Sequence, residues 1–475
     1  MIRRRALLAG VSAAAIAARA AQGQATAQVA AQAVLAPAAP VSPQAPKRDD
    51  TVAQGFQRRV IARWGDAVLA NAPPFDPYPL TLAQADTQFP YDGVIAGLVR
   101  PPPAEDGIPR RVLVTATPDA PARMVFPAGM DIPAVAGRLQ GATVMNLQYL
   151  QGRWVTVDGG YQSRRISDGT LCQISGPVAA QIGNTVQGVL APQTGCITPW
   201  GTVLLAEGDA GPWLARLAGV GYGFADPTDA PRFGWITELD ALQPLSFPIK
   251  RTGLGRFARA GVAVAQTADG RAVVFMTQDD PAGMLFRFVS DAPATDGGAF
   301  DSGTLSVARI VGDEIEFLPL SGDVPSLVGA AGAAASAGGS AFDGPGGIAI
   351  ARDGAALYLA CRGNPARAAT DAFNPRAGDD TGHILVFGPP GGDLTAKRFA
   401  GNLALVAGDP ATVPLTQYTP GSNAWLRCPR TLNLDPLGQL WIGTDQGGEV
   451  SATADGVFIM QTGGPSPYLL SLAYL

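Results

Sequence analysis

The run GVAVAQTADGRAVVFMTQDD, residues 261–280, decides the fold. Its first half, VAVAQ, alternates from residue to residue, the period of a strand with one face buried. Its second half, VVFM, is continuously apolar, as in a strand covered on both faces. Asp269 and Gly270 between them favour a tight turn, so the unit reads as a hairpin that ends in Asp279 and Asp280. The same pattern recurs in GGIAIARDGAALYLACRGN (346–364) and RTLNLDPLGQLWIGTDQ (430–446). Hairpins repeated around an axis make a β-propeller, whose closure removes long exposed edges and lets one domain hold a chain of this length. The expected fold is an all-β propeller of six blades.

Composition agrees with that reading. The 475 residues are 47% hydrophobic and 15% charged, which suits a compact globular protein rather than a disordered one. The 59 glycines and 41 prolines punctuate short apolar runs, and helix-like periodicity is concentrated in residues 52–70. Net charge is -5, with both signs interspersed. No basic stripe is present to collect phosphates, which excludes a nucleic-acid partner.

The chain opens with the basic MIRRR, then an apolar run from Ala6 to Ala18 and small residues around Ala18-Arg19-Ala20. This is the layout of an export signal over residues 1–20. Arg4-Arg5 ahead of Ala6-Leu7-Leu8 resembles a twin-arginine signal, with a Sec signal as the alternative. The run is shorter than the roughly 20 residues that span a bilayer, so no transmembrane segment is expected. Residues 21–46, rich in Ala, Gln and Pro, read as a tether, and 47–475 as the propeller. The expected product is a periplasmic or secreted monomer.

Cys172, Cys196, Cys361 and Cys428 lie far apart and form no CxxC pair, so neither a zinc knuckle nor a redox dithiol is expected. An exported chain permits disulfides, in pairings the spacing does not specify. Cys361 and Cys428 read as small buried hydrophobes. The chain has one histidine, His383, in GHILVF. A serine triad needs an imidazole base, and zinc hydrolases need more histidines than one, so His383 reads as a packed or strand-edge residue. No phosphate-binding Gly-rich loop or dinucleotide fingerprint is present.

Polar groups at strand ends can converge where propeller strands meet the central channel. Glu207 in TPWGTVLLAEGD (198–209), Asp279, Asp280, Asn364 and Asp445 each follow an apolar run and are candidates on that ground. Turn formation is the bland alternative for each. Lys250, Arg251 and Arg256 in KRTGLGRF (250–257) read as solvated loop charges, or as weak anion contacts.

Taken in order, these segments resemble the PhoX-type bacterial alkaline phosphatases. TPWGTVLLAE is similar to that family's TPWGT signature with its Glu pair. RWGDAVL (63–69), GRWVTVDGGYQSRRIS (152–167) with SGPVA (175–179), GWITELD (234–240), KRTGLGRF, MTQDD, FNPRAGDDTGHILVF (373–387) and GQLWIGTD (438–445) follow in the family's order. The resemblance implies a six-bladed propeller hydrolysing phosphate monoesters with iron and calcium. It places metal ligands at Glu207, Glu238, Asp279 and Asp280, and phosphate contacts at Arg376 and, more weakly, Arg259. Asn364, Asp445 and Cys196 are alternative ligands.

Several family positions differ. Gln193 stands where the family has a metal-binding Cys, with Cys196 three residues on. Gly208 replaces the second Glu of the pair, and Arg259-Ala260 replaces a His-Glu. Gly344-Pro345-Gly346 replaces the Arg-Pro-Glu that grips phosphate, Thr115-Ala116-Thr117-Pro118 stands for an Asn-His-Glu-Tyr, and Pro429-Arg430-Thr431 for a Pro-Asp-Asn. These changes remove anionic ligands, so calcium is easier to accommodate than iron. The expected function is non-catalytic binding of a small-molecule or protein ligand, because a fold can outlive its site. The alternatives are a PhoX-like phosphoesterase with altered metal content and a single-calcium lactonase or esterase using Glu207, Asn364 and Asp445.

Overall fold

The computed structural model describes residues 51–474, except 79, 128, 221–226, 295–296, 419–423, 448–453 and 463–467. The proposed signal and tether lie outside the described residues. Strands dominate, as the sequence predicts, and fall into successive antiparallel fans. The first fan holds Val94–Val99, Arg110–Thr117, Gly141–Leu150 and Arg153–Val157. The second holds Pro192–Ile197, Val203–Glu207, Ile236–Leu239 and Ile249–Arg251, and Leu171–Ser175 adds to its outer edge in parallel. The third runs through Arg259–Gln266, Arg271–Gln278, Leu285–Pro293, Gly303–Val311 and Glu314–Pro319. The fourth is Pro345–Ile350, Leu357–Cys361, His383–Gly388 and Arg398–Val406, joined to the third by Glu314–Pro319 against Arg398–Val406. The last is Pro429–Leu434, Gln439–Thr444, Gly456–Gln461 and Tyr468–Tyr474, completed by Thr51–Val52. These pairings mark out five fans among the described residues, against the six blades expected.

The hairpin of residues 261–280 forms as read: Val264 faces Val274 and Ala263 faces Phe275 across the ladder. Ala272 to Thr277 are all buried, which is why that run carries no polar alternation. Among the described residues, four apolar cores lie between successive fans. One joins Leu204, Trp235 and Ile236 of the second fan to Val274, Met276 and Phe286 of the third. The next joins Phe275 and Phe317 of the third to Leu359, Leu385 and Phe399 of the fourth. Each inner-face strand is therefore covered on both sides, and burial of that apolar area is the main stabilising term. The helix-like period of residues 52–70 gives no helix: Thr51–Val52 is drawn into the last fan, and Gly55 and Gly65 take positive φ. Among the described residues no helix is long and apolar enough to cross a membrane.

The first strands of neighbouring fans meet near the axis, and glycine makes the approach feasible. A Cβ on Gly261 would strike the carbonyl oxygen of Gly346, and one on Gly346 would lie 2.7 Å from the carbonyl of Arg430. Thr277 Oγ1 donates to Gly346 O at 2.7 Å, locking the third fan to the fourth. A second repeated feature fixes where side chains emerge. The residue closing the second strand of a fan donates its N–H to the carbonyl just ahead of the first: Gly208 to Ala191 (2.8 Å), Asp279 to Ala258, Arg362 to Gly344 and Asp445 to Cys428 (each 2.9 Å). Gly208, Asp279, Arg362 and Asp445 thus occupy equivalent positions at one end of four fans.

Gly261→Ala should lower stability by about 1–3 kcal/mol, the usual cost of overpacking a closed contact. Gly332→Ala, on the helix Ala330–Ser336 with open space around it, should be neutral or stabilising by about 0.5–1 kcal/mol. Denaturant midpoints of the two variants against wild type check the pair.

Candidate functional site

Glu207 ends Val203–Glu207, a strand buried at every residue. Its side chain is fully buried, and four donors surround it. Oε1 accepts from Lys250 Nζ at 2.7 Å and from the Leu190 N–H at 3.0 Å; Oε2 accepts from the N–H groups of Gly234 (2.7 Å) and Trp235 (3.2 Å). Lys250 is itself fully buried, with its ammonium 4.2 Å from the centre of the Phe233 ring. Every hydrogen-bonding neighbour of this carboxylate is a donor, so its charge is matched locally by Lys250 and three N–H dipoles.

Glu238 lies on the adjacent strand Ile236–Leu239 and faces the other side of the sheet, since it sits opposite Leu204 while Glu207 is three residues further along. Arg251 is its counter-ion, with Nε at 2.8 Å and Nη2 at 2.7 Å from Oε2. Oε1 accepts from Thr202 Oγ1 (2.7 Å) and, more distantly, Trp200 Nε1 (3.3 Å). The same guanidinium reaches Asp301 and Ser175 at 3.1 Å and Gly297 O at 2.8 Å. The reading of Lys250, Arg251 and Arg256 as solvated charges is therefore corrected. Ile249–Arg251 is an internal strand of the second fan, so its basic side chains turn onto Glu207 and Glu238, while Arg256 donates to Phe233 O and Ala230 O. Two basic residues adjacent in sequence, matching two acidic strand positions, were the available signal.

Asp279 is held by Arg362 Nη2 at 3.0 Å, and Arg430 Nη1 stands 3.7 Å from the same oxygen. Asp445 is half exposed, 3.8 Å from Arg362 Nη1. Arg430 Nη1 is buried without a hydrogen-bond partner. Burial, and then the charge of Arg362, pull the Arg430 guanidinium below its ordinary value. These two arginines were missed, although each closes or opens an apolar run as Glu207 does and the same positional rule would have found them.

The other sequence candidates take local roles. Asp280 Oδ1 accepts from the Ala282 N–H and Asn364 Oδ1 from the Ala366 N–H, both as turn formers. Arg376 is buried against Ala407 O, Asp379 Oδ1, Thr381 Oγ1 and Gly382 O. Arg259, fully buried, donates to the carbonyls of Gly234, Phe257, Leu254 and Gly255, and burial pulls it down to about 9. Cys196 packs beside the core between the second and third fans, and burial pushes its thiol up to about 12. All four cysteines are free thiols. Among the described residues, neither Glu207, Glu238, Asp279, Asp280, Asp445 nor Cys196 joins a cluster of three acidic, thiol or imidazole groups close enough to share an ion. A cleft of about 860 Å³ opens away from these groups, between the turns Gln266–Arg271, Ile350–Gly354 and Gly391–Thr395.

The model of the family described as alkaline phosphatase PhoX matches residues 39–467. Among solved structures, Pseudomonas fluorescens PhoX in complex with vanadate, a transition state analogue, superposes with a TM-score of 0.81. It is 25% identical over 92% of this chain and 88% of that chain. A putative 6-phosphogluconolactonase from Bacteroides fragilis is 11% identical over 70% of this chain and 76% of its own, with a TM-score of 0.30. A gluconolactonase from Xanthomonas campestris is 12% identical over 80% and 97%, with a TM-score of 0.28. Values that low bear neither on the fold nor on activity. No curated protein sequence matches significantly. A family match spanning nearly the whole fold, with a PhoX structure superposing on most of the chain, places this protein in the PhoX alkaline phosphatase family.

Proposed function

We propose that this chain is an exported PhoX-family propeller that binds an anionic, phosphate-bearing ligand without a multi-metal phosphatase centre. The observation that carries the reading is the fully donor-lined carboxylate of Glu207. A cation placed there would face the positive ends of three N–H dipoles and an ammonium, which Coulomb repulsion in a dry site forbids. Glu238 is committed to Arg251 in the same way, and Asp279 to Arg362. The donor set therefore does not fit the iron and calcium that the family resemblance implies. In their place stand the chain's own cations. Arg362 and Arg430, side by side at the end of the fourth and fifth fans, offer a guanidinium pair with an unsatisfied N–H, the chemistry that recognises phosphate.

The second reading is a PhoX-like phosphoesterase with altered metal content, favoured by the superposition on a PhoX structure that holds vanadate. Purified mature protein separates the two. We expect no turnover of p-nitrophenyl phosphate with added Fe²⁺/Fe³⁺ and Ca²⁺. Phosphate or vanadate binding by calorimetry should persist in chelator and weaken by about tenfold or more in Arg430→Ala, the loss of one charge-assisted contact. Turnover that stops on chelation and in Glu207→Ala would establish the phosphoesterase instead.

Lys250 supplies an independent check. Lys250→Met leaves Glu207 buried without its counter-charge, and should destabilise the fold by about 3–5 kcal/mol. Calcium should not restore the thermal midpoint, because the N–H donors remain aimed at the carboxylate. Recovery of the midpoint by millimolar calcium would mean that Lys250 occupies a cation position, against the proposal.

A further inference from the structure

The only group of three potential ligands among the described residues lies elsewhere, in Asp343, Asp379 and His383. None of the three was singled out as a ligand by the sequence, and nothing in the proposed anion site uses them. Asp343 precedes Pro345–Ile350, Asp379 ends the loop after Leu357–Cys361, and His383 opens His383–Gly388, so the fourth fan gathers all three at one end. Their exposures are 0%, 4% and 0%.

Each carboxylate is divided in the same way. Asp379 Oδ1 accepts from Arg376 Nη2 (2.8 Å), the Thr381 N–H (2.9 Å) and the Gly382 N–H (3.1 Å). Asp343 Oδ1 accepts from Arg367 Nε. The second oxygen of each, Asp379 Oδ2 and Asp343 Oδ2, is buried with no hydrogen-bond partner, and so are both nitrogens of His383. His383 Nδ1 lies 3.6 Å from Asp379 Oδ2, too far for a hydrogen bond. Four buried polar atoms without partners in one place destabilise the fold unless something satisfies them. The Cys361 thiol sits on the same patch, directly opposite His383 across the ladder.

The ligand atoms lie within 4.8 Å of one another. Points that close lie within about 2.8 Å of a common centre, so shifts of roughly 0.7 Å would bring them to zinc distances. We infer that Asp343, Asp379 and His383 form a buried site for one divalent transition metal of the zinc type. The mixed oxygen and nitrogen donors suit zinc better than calcium, which takes six to eight oxygens. Arg367 and Arg376 then act as outer partners that orient each carboxylate so that its free oxygen faces the ion. The site is closed, so the ion ties the loop after Leu357–Cys361 to Asp343 and to the opening of His383–Gly388 rather than meeting substrate.

Full-length mature protein, purified without a polyhistidine tag, is incubated with equimolar zinc, desalted and analysed by mass spectrometry for metal. One zinc per chain is expected, with binding at least tenfold weaker in His383→Asn and Asp343→Asn, and a thermal midpoint that chelator lowers in wild type but not in those variants. Should the variants fail to fold, cobalt substitution in wild type is read instead, and the visible d–d absorption of a low-symmetry N/O site is expected. Zinc at background level in wild type, uptake unchanged in the folded variants, or absent cobalt bands would each overturn the inference. So would a midpoint that falls from pH 5.5 to 8 equally with and without chelator. That result would mean an imidazolium bridging the two carboxylates, since a histidine stabilised in its charged form loses that stabilisation as pH rises.

Discussion

The buried contact between Glu207 and Lys250 holds distant parts of the second fan together. It joins the end of Val203–Glu207 to Ile249–Arg251, and through the same carboxylate to the backbone at Leu190, Gly234 and Trp235. Four separate stretches of chain are thereby fixed about one anion. Taking both charges out of water is costly, and the geometry offsets that cost only because every lone pair in use has a donor. The result is a rigid second fan whose chemistry is set by its own side chains.

The same solution recurs around the molecule. Glu238 has Arg251, Asp279 has Arg362, Asp343 has Arg367 and Asp379 has Arg376. Each of these carboxylates is coupled to a guanidinium or ammonium group of the chain itself. The arginines are well suited to this, because the planar guanidinium bridges several acceptors, as Arg251 does between Glu238, Asp301, Ser175 and Gly297. The exception is the fourth fan, where Asp343 and Asp379 each keep one oxygen without a partner, close to the unpartnered imidazole of His383.

The fold was legible because period-two patterning and Asp/Gly turns are local signals. VAVAQ and VVFM pair as the sequence implies, since a hairpin needs no information from outside its own twenty residues. Family segments such as TPWG and LWIGTD held up for the same reason, being concerned with strand ends and turns. The candidate site was less legible. Glu207 was found as a strand-end carboxylate, but its partner is 43 residues away on a strand too short to show a period, so Lys250 and Arg251 read as surface charges. His383 was correctly placed in a strand, yet its neighbours Asp343 and Asp379 come from loops, where sequence offers no register. Side-chain pairing across a propeller is a property of the closed ring, not of any segment within it.

That ring is fastened in a particular way. Thr51–Val52, from the beginning of the described chain, pairs with Tyr468–Tyr474 at its end, Thr51 opposite Tyr474 and Val52 opposite Ala473. The clasp joins residues that leave the ribosome at opposite ends of synthesis, so its loop-closure entropy is met only after every fan exists. Until Thr51–Val52 docks, the outer strand Tyr468–Tyr474 has its edge groups open to pairing by other chains. A two-residue strand thus decides whether the last fan ends in a covered edge or in an adhesive one.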